Sequence, residues 1–431
     1  MKADPDYVGP SMFGRTTLGT DGTTGNWLFS LDPDLVWWIS GKGSYKRLDN
    51  NQTYETTVAT DGENEVHVFT AGETVYLAPK AIAQDGVLDM TTLNRDTELM
   101  PTVLAYHAFY RTSEVVEVML PDSVVSFGDG VFQECSTIRA VEVGEDFASF
   151  GSSNPFRDAN VFETFWKRGT ERVEGLVAIP AEVTALPESA FFNCDGVKEV
   201  LAPGVVSLGH SCFYHSGNVT NIVLSPDLHT IGNGGNGVFY QCGKLRTISP
   251  REMKLRTIGS DAFRELLLTH GLDFSLSTFT GIGTRAFFGV RCEAEDGRPY
   301  PIVLPKTVTK INEGGFHYYN SAGYKPRLLV FLGDKPPTIG DKGLNPGTNA
   351  AGKRYFIVAD VSRNPAWKAE DFTPLSEEDK EFSDYPPRYF LGRKDYPGVD
   401  VLGWISTGTE GKQYKNWLIQ LKHAETLMLL R

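Results

Sequence analysis

The sequence contains no long apolar run. None of its 431 residues fall in a window of about 18 or more apolar residues, the length that a membrane-spanning helix needs. The first residues, 1–7, are too polar to form a signal peptide. These absences predict a chain with no membrane span and no visible signal peptide.

Positive charge is also scarce. The chain holds 41 Lys and Arg residues against 54 Asp and Glu residues, which gives a net charge of −13. No stripe of Lys and Arg reverses this balance locally, so the chain would repel a phosphate backbone. Nucleic acid is therefore not an expected partner.

Motifs that carry chemistry are missing as well. The sequence has no G-x-S-x-G elbow, no phosphate loop and no H-E-x-x-H zinc motif. The five cysteines form no Cys-x-x-Cys pair, and the eight histidines are scattered. Glu117 and Glu142 have no evident pocket that would separate their pKa values. We predict no catalytic residue, no metal site and no cofactor, and an enzyme with an unrecognised site is the third alternative.

What the sequence does contain is a repeat. A small residue followed by Phe recurs through most of the chain, with successive gaps of 23, 24, 35, 22, 26, 24, 24, 29 and 28 residues. The repeated positions are Phe109, Phe132, Phe156, Phe191, Phe213, Phe239, Phe263, Phe287, Phe316 and Leu344. A period in the twenties that tolerates insertions is typical of a stacked solenoid.

Each repeat pairs a short apolar strand with the Phe-containing return segment. Several strands are followed by proline, which cannot donate to a sheet ladder and so ends the strand; these prolines are Pro121, Pro203, Pro226 and Pro305. Three cysteines, Cys135, Cys194 and Cys242, each follow a repeat Phe by three residues. We interpret them as one buried rung of the repeat, reduced and unbonded.

The segment 302–316, Ile-Val-Leu-Pro-Lys-Thr-Val-Thr-Lys-Ile-Asn-Glu-Gly-Gly-Phe, resembles the repeat unit of the BspA-like bacterial leucine-rich-repeat proteins. The resemblance covers residues 86 to 375, and 335–340 with 355–358 and 364–368 is similar to a closing unit of such arrays. It implies a mainly β leucine-rich-repeat solenoid with short irregular or helical returns. It also implies an adhesin-like recognition protein that meets proteins or glycans on a cell surface.

Changes in composition predict the domain boundaries. We expect an extended arm (1–25), a small β domain that caps the solenoid (26–85), the repeats (86–345), a closing repeat with an acidic linker (346–398) and a C-terminal segment (399–431). The group Trp27, Trp37 and Trp38 is either a sugar platform or, as we favour, the core of the small domain. The last residues, 424–431, fit a helix or a strand equally.

Two stretches depart from the repeat, of which the first is predicted to be a loop and the second is an insertion. One covers 164–172 and places Phe165 and Trp166 beside Lys167 and Arg168; the other, 290–300, is charged and predicted to face solvent. An exposed Trp beside cations is typical of an interface anchor. The alternative is that Phe165 and Trp166 fold back over the repeat core.

A second column of side chains is the other candidate binding surface. The residue directly after the repeat Phe is aromatic or His in most units: Tyr110, Phe192, Tyr214, Tyr240, Phe288 and His317. Aromatic faces in a row stack on sugar rings or enter a partner protein, or they cover the core from outside. The candidate binding residues are therefore this column together with Phe165, Trp166 and Arg168.

Two classes of function fit a long surface without a reactive centre. One is a secreted or cell-surface bacterial adhesin, which the resemblance implies. The other is a structural subunit of a large assembly, of the phage virion or injection-apparatus type, and the missing signal peptide favours it. The two combine as an outward-facing, receptor-binding protein that works in an oligomer or larger assembly. We expect protein partners, cell-surface glycans as further ligands, and an extracellular, virion or cell-surface location.

Overall fold

The computed structural model describes a mainly β protein that divides into two compact units. The first unit is Met1–Val205 with Cys212–Val219, and the second is Val206–Ser211 with Thr220–Arg431. The residues that the structure describes are 25–28, 37–40, 44–47, 53–61, 64–71, 74–81, 85–93, 100–232, 237–318, 327–345, 355–368, 372–381, 399–409 and 412–421. The predicted arm (1–25) and the ambiguous end (424–431) lie outside these residues, apart from Gly25.

Most strands of the first unit are short. In chain order they are β1 (Gly25–Leu28), β2 (Trp37–Ser40), β3 (Ser44–Arg47), β4 (Thr53–Asp61), β5 (Asn64–Ala71), β6 (Thr74–Ala81), β7 (Val87–Asp89), β8 (Val103–Leu104), β9 (Glu117–Met119), β10 (Ser126–Phe127), β11 (Ala140–Val143), β12 (Thr164–Lys167), β13 (Leu176–Ala178), β14 (Ala185–Leu186) and β15 (Glu199–Ala202).

The first six strands form an antiparallel meander, β1 to β6, in which each strand pairs with the next. Strand β6 then pairs in parallel with β8, which pairs with β10. The interpretation of Trp27, Trp37 and Trp38 as a core concerns side chains outside the described part of the chain. The predicted domain boundaries stay predictions.

The repeats of the first unit build a parallel sheet with strands in the order β7, β9, β11, β12, β13, β15. Because side chains alternate along a strand, one register row points into the core. That row is Leu88, Val118, Val141, Phe165, Val177 and Val200, and each of these side chains is at most 1% exposed. The flanking residues of each strand point outward.

Most strands of the second unit are short as well. They are β16 (Ser207–Leu208), β17 (Asn221–Leu224), β18 (Thr230–Ile231), β19 (Thr247–Ser249), β20 (Thr257–Ile258), β21 (Leu267–Leu268), β22 (Leu272–Asp273), β23 (Gly281–Ile282), β24 (Arg291–Cys292), β25 (Pro301–Leu304), β26 (Lys310–Ile311), β27 (Arg327–Phe331), β28 (Thr338–Ile339), β29 (Tyr355–Val358), β30 (Phe372–Pro374), β31 (Val399–Thr409) and β32 (Lys412–Leu421). Two 3₁₀ helices, Pro365–Trp367 and Glu378–Glu381, follow β29 and β30.

The C-terminal segment is a β-hairpin that completes the main sheet of the second unit. Strands β22, β25, β27 and β29 are parallel, β32 joins β29 in parallel, and β31 closes the hairpin. The Trp404 and Trp417 rings stack at 3.5 Å between centroids. The described part of the acidic linker contacts this hairpin, since the Nε1 atom of Trp404 donates to Asp379 at 3.4 Å.

The repeat phenylalanines form the predicted internal column in each unit. Every one of them, and Leu344, is at most 2% exposed. Successive ring centroids lie 4.9, 5.1, 5.6 and 5.5 Å apart from Phe109 to Phe213, and 5.8, 5.2 and 4.9 Å apart from Phe239 to Phe316. Cys135, Cys194 and Cys242 are buried and unbonded, which confirms their placement as a buried rung.

The return segments form a ladder of their own. The backbone N–H of a repeat Phe donates to the following turn, as from Phe109 to Val131 and from Phe263 to Ala286, each at 2.8 Å. The residues two before and two after the Phe recur in the left-handed region, with φ between 52° and 70° around Phe109, Phe132, Phe156, Phe263 and Phe287. This tight turn brings every second N–H to the same side, where it meets the next repeat.

The predicted insertion, 290–300, is exposed only at its tip. Val290 is buried and β24 pairs in parallel with β21, whereas Glu295, Asp296 and Arg298 are exposed. The prediction that the whole stretch faces solvent is therefore wrong. Its ends belong to the packed repeat because they carry the apolar residues.

Candidate recognition surface

The outward residues of β9, β11, β12, β13 and β15 in the first unit make one side-chain surface, which we call the outer face. Two register rows run across it, and their members are Glu117, Ala140, Thr164, Leu176 and Glu199 in one row and Met119, Glu142, Trp166, Ala178 and Leu201 in the other. The outer face mixes apolar and acidic side chains.

The predicted loop at 164–172 is in part a strand of this sheet. Strand β12 lies in register between β11 and β13, so that Trp166 faces outward beside Glu142 and Phe165 faces inward. Phe165 is fully buried and its ring lies 5.1 Å from that of Phe150. The loop prediction is wrong for 164–167. The sequence does contain a signal for strand β12, because Thr164 follows Ala140 by one repeat length.

Trp166 occupies the middle of the outer face, yet it is only 5% exposed. The guanidinium of Arg172 lies 4.8 Å from the centre of the indole ring and covers it. The expectation of an exposed tryptophan is therefore wrong, and the alternative of a Trp that packs against the repeats agrees with its burial. Its role in binding stays a prediction.

The residues after β12, 168–174, form a covering segment that reaches back over two strands. Arg168 donates from Nε to Glu142 at 2.6 Å and from its two terminal nitrogens to Asp122 and to the carbonyl of Leu120, each at 2.5 Å. Arg172 pairs with Glu117 at 2.8 Å. The covering segment therefore places a cation beside each acidic residue at the centre of the outer face.

A glycine in the left-handed region lies near each end of the covering segment. Gly169 has a φ of 78° and Gly175 has a φ of 81°. A side chain with a Cβ atom is strained in this conformation, so glycine lets the chain reverse at both places. The reversal puts Arg172 over Trp166 and leaves Val173 43% exposed at the surface.

The second predicted surface lies on the return segments and is largely covered. Tyr110 and Phe288 are buried, whereas Phe192, Tyr214, Tyr240 and His317 are half-buried. The phenol of Tyr110 donates to Glu134 at 3.4 Å, and burial together with the Glu134 carboxylate raises the pKa of Tyr110. The burial of Tyr110 and Phe288 agrees with the alternative in which these rings cover the core, and the role of the column in binding stays a prediction.

Arginines cover several rings of this second column. The guanidinium of Arg111 lies 5.1 Å from the Tyr110 ring, that of Arg157 lies 5.0 Å from the Phe192 ring, and Arg264 lies 4.1 Å from the Tyr240 ring. Phe192 and Tyr214 stack on each other at 5.0 Å. These contacts agree with a column that shields the core. Within the first unit, Tyr110, Phe192 and Tyr214 lie on turns and the outer face lies on the sheet, so the structure does not bring them into one site.

The described residues hold no group of three or more His, Cys, Asp or Glu side chains placed to ligate a metal ion. Over the same residues, no helix has the length and apolar content to cross a membrane. The arrangement of the outer face is one of packed apolar groups and paired charges. Such a surface is suited to contact with another molecule.

Comparison with known proteins addresses the repeats directly. Residues 101–165 and 171–293 match the family model of the BspA type leucine rich repeat region, in six copies. No curated protein is significantly similar to the chain in sequence. Proteins with BspA-type repeats are typically cell-surface, protein-binding or adhesin-like.

Solved structures of repeat proteins also align with the chain. A leucine-rich repeat protein from Bacteroides ovatus is 15% identical over 70% of each chain, with a TM-score of 0.44. A leucine rich cell surface protein from Faecalibacterium prausnitzii is 14% identical over 71% of this chain and 89% of its own, with a TM-score of 0.34. The pneumococcal vaccine antigen PcpA is 12% identical over 73% of this chain and 96% of its own, with a TM-score of 0.29. Residues 101–165 and 171–293 of this chain are therefore BspA-type leucine-rich repeats.

Proposed function

We propose that this chain is a non-catalytic recognition protein that binds a protein partner through the outer face of its first unit. The observation that carries the proposal is the arrangement around Trp166. The ring is held in place by Arg172, while Val173 and Leu201 remain 43% and 39% exposed nearby on the same unit. Large aromatics and arginines that are already ordered anchor interfaces at low entropic cost.

The charges of the outer face support contact with a protein. Glu117 and Glu142 are paired with Arg172 and Arg168, so a partner would not have to neutralise them. A buried carboxylate without a cation would cost several kcal/mol in a closed interface. The pairing therefore leaves a surface that can lose its water when a partner covers it.

The rim of the outer face is acidic. Glu171, Glu174 and Glu199 are exposed around the covering segment and β15, and the chain as a whole carries a net charge of −13. Complementary charge steers association and selects partners. The partner we propose is a protein surface with an apolar centre and basic residues at its edge.

The setting of this contact is part of the proposal. A cell-surface or extracellular location and adhesin-like action agree with the repeat family. Binding by Tyr214, Tyr240 and the rest of the second column, contact with glycans, and membership of an oligomer, phage particle or injection apparatus stay predictions. No contact among the described residues speaks for them.

The test compares the full chain with two variants on arrays of purified cell-surface proteins, extracellular-matrix proteins and glycans. Leu201→Arg changes an exposed leucine of the outer face; Leu332→Arg is its control, since Leu332 is 37% exposed and lies in the second unit. We expect Leu201→Arg to weaken protein binding about tenfold or more. The melting temperature should not change in either variant.

Binding that is unaffected by Leu201→Arg would contradict the outer face as the contact site. Binding to glycans alone would replace the protein partner with a carbohydrate. Trp166→Ala is a poor first choice, because the ring is buried and its loss would lower stability together with binding.

A further inference from the structure

A surface with exposed apolar and basic side chains lies in the second unit, on the turns that follow its strands. Leu276, in the turn after β22, is 51% exposed. The stretches 250–258, 275–280 and 305–311 contain one acidic residue, Glu252. They contain five cations, all of them exposed: Arg251, Lys254, Arg256, Lys306 and Lys310. We call these cations together with Leu276 the basic turns.

Hydrogen bonds between neighbouring turns place Leu276 among the cations. On one side, the Ser277 hydroxyl donates to the carbonyl of Met253 at 2.7 Å. On the other side, the Thr307 hydroxyl donates to the carbonyl of Phe279 at 2.8 Å. Leu276 therefore lies in the middle one of three turns, with exposed cations in the turns on both sides.

The pairing of Lys254 within the chain is weak. Lys254 lies 3.1 Å from Asp227, but the two side chains are 52% and 73% exposed. Water and salt screen a pair that is this exposed, so it does little to hold Lys254 back from another anion. The basic turns thus present an apolar centre with a positive edge, in a chain whose net charge is −13.

The outer face of the first unit has the opposite character at its edge. Val173 and Leu201 are 43% and 39% exposed on that unit, and Glu171, Glu174 and Glu199 are exposed around them. Two apolar centres that meet lose their water, while opposite charges at their edges bring the surfaces together and set their orientation. The partner class proposed above has an apolar centre and a basic edge, and the chain itself carries such a surface.

We propose that the partner of the outer face is a second copy of this chain, which contributes its basic turns. This inference rests on the proposed function, because it assigns a partner to the same outer face. The two surfaces differ, so the contact is head-to-tail. The net charge of −13 does not prevent it, because charges beyond about 8 Å are largely screened at physiological salt and the local charges decide.

The experiment uses the full chain and measures its mean mass by sedimentation velocity at physiological salt. The protein concentration covers roughly 1–200 µM, the range of a weak and transient interface. We expect the mean mass to rise with concentration towards that of two or more copies. A parent chain that stays monomeric throughout this range would overturn the inference.

Two variants break the contact from opposite sides. Leu201→Arg places a cation opposite the basic turns, and Leu276→Glu places an acid opposite the acidic rim. We expect each to weaken self-association about tenfold or more, with no change of the melting temperature because both positions are exposed. Met100→Glu is the matched control, since Met100 is 55% exposed and belongs to neither surface. It should associate as the parent does.

A mixture of the two variants gives the sharpest result. The Leu201→Arg chain keeps its basic turns and the Leu276→Glu chain keeps its outer face, so one intact contact forms between them. With a fluorophore on one variant, we expect it to sediment faster when the other is added, with an affinity within about threefold of the parent's. If the mixture stays monomeric, or if Leu276→Glu alone associates as the parent does, the inference is wrong.

The protein and glycan arrays separate this inference from the proposed function. If the parent is monomeric and Leu201→Arg abolishes its binding to another protein, the outer face is a contact site and only the second copy is wrong. If Leu201→Arg changes neither self-association nor array binding, both are wrong. If a monomeric parent binds acidic glycans and Leu276→Glu abolishes that binding, an anionic polymer replaces the second copy at the basic turns.

Discussion

The repeat phenylalanines and the residues that directly follow them differ by one position in the sequence, yet their surroundings are opposite. The first set is stacked ring on ring and almost fully buried in both units. The second set is half-buried in most turns and is covered by arginines such as Arg157 and Arg264. One column is held by apolar packing, and the other lies between that packing and water.

This difference follows from the tight turn around each repeat Phe. The left-handed residues on either side, such as Asp261 and Glu265 around Phe263, turn the backbone so that alternate side chains point in and out. The out-pointing aromatic cannot be buried by the next turn, and a long cation from the same or a neighbouring turn covers it. Cation–π contacts of this kind contribute roughly 0.5–2 kcal/mol, less than a buried ring does.

The sharpest test of the comparison removes one ring of the internal column of repeat phenylalanines. Phe263→Ala should lower the free energy of unfolding by about 3–5 kcal/mol, because a central ring has neighbours on both sides and the cavity cannot close. Tyr240→Ala, in the second column, should lower the free energy of unfolding clearly less. Urea unfolding of both variants measures the difference, and equal denaturant midpoints for Phe263→Ala and the parent would disprove the register.

The pH dependence of stability tests the buried surroundings of Tyr110, the first residue of the second column. His107 is buried between Tyr106 and Tyr110, and burial lowers its pKa from 6.5 to about 3. Below about pH 6.5 the unfolded chain takes up a proton that the native chain refuses. The contribution of His107 is therefore complete above that pH and falls by about 1.4 kcal/mol per pH unit down to about pH 3.

The matching variant is His107→Asn, because asparagine tolerates the φ of 52° at this position. We expect the parent to lose roughly 2–3 kcal/mol more stability than His107→Asn between pH 7 and pH 4.5. Burial also lowers the pKa of His270 and His317, so both proteins share that background. Equal losses in the two proteins would show that His107 is protonated in the folded state.

The smallest expected effect comes from removing a covering cation. Arg264 lies over the rings of Tyr240 and Phe288 and pairs with the buried Asp261 at 3.0 Å. Arg264→Gln should cost about 1–2 kcal/mol. Arg285→Gln, which removes only a pairing with Asp261 at 2.9 Å, should cost less than about 1 kcal/mol. If urea unfolding shows the same loss of unfolding free energy in both variants, the contacts of Arg264 with the two rings contribute nothing to stability.

The candidate surface was only partly predictable. The order Thr164-Phe165-Trp166-Lys167 has the alternation of a strand, and its distance from β11 is one repeat, so the outward direction of Trp166 could be predicted. However, the return segment expected after β12 is missing. The gap of 35 residues between Phe156 and Phe191 is equally compatible with a loop. Nothing in the local pattern indicates that Arg172 covers the indole ring.

The sequence by itself determined the repeat length, the column of buried phenylalanines and the buried cysteine rung, because each recurs in phase and the hydrophobic effect acts on every copy alike. Only the tertiary structure decided which charges meet. Arg172 reaches Glu117 across 55 residues of sequence, and Arg327 lies against Tyr355. Such contacts depend on how turns of the solenoid stack, and side chains that occur once leave no periodic signal.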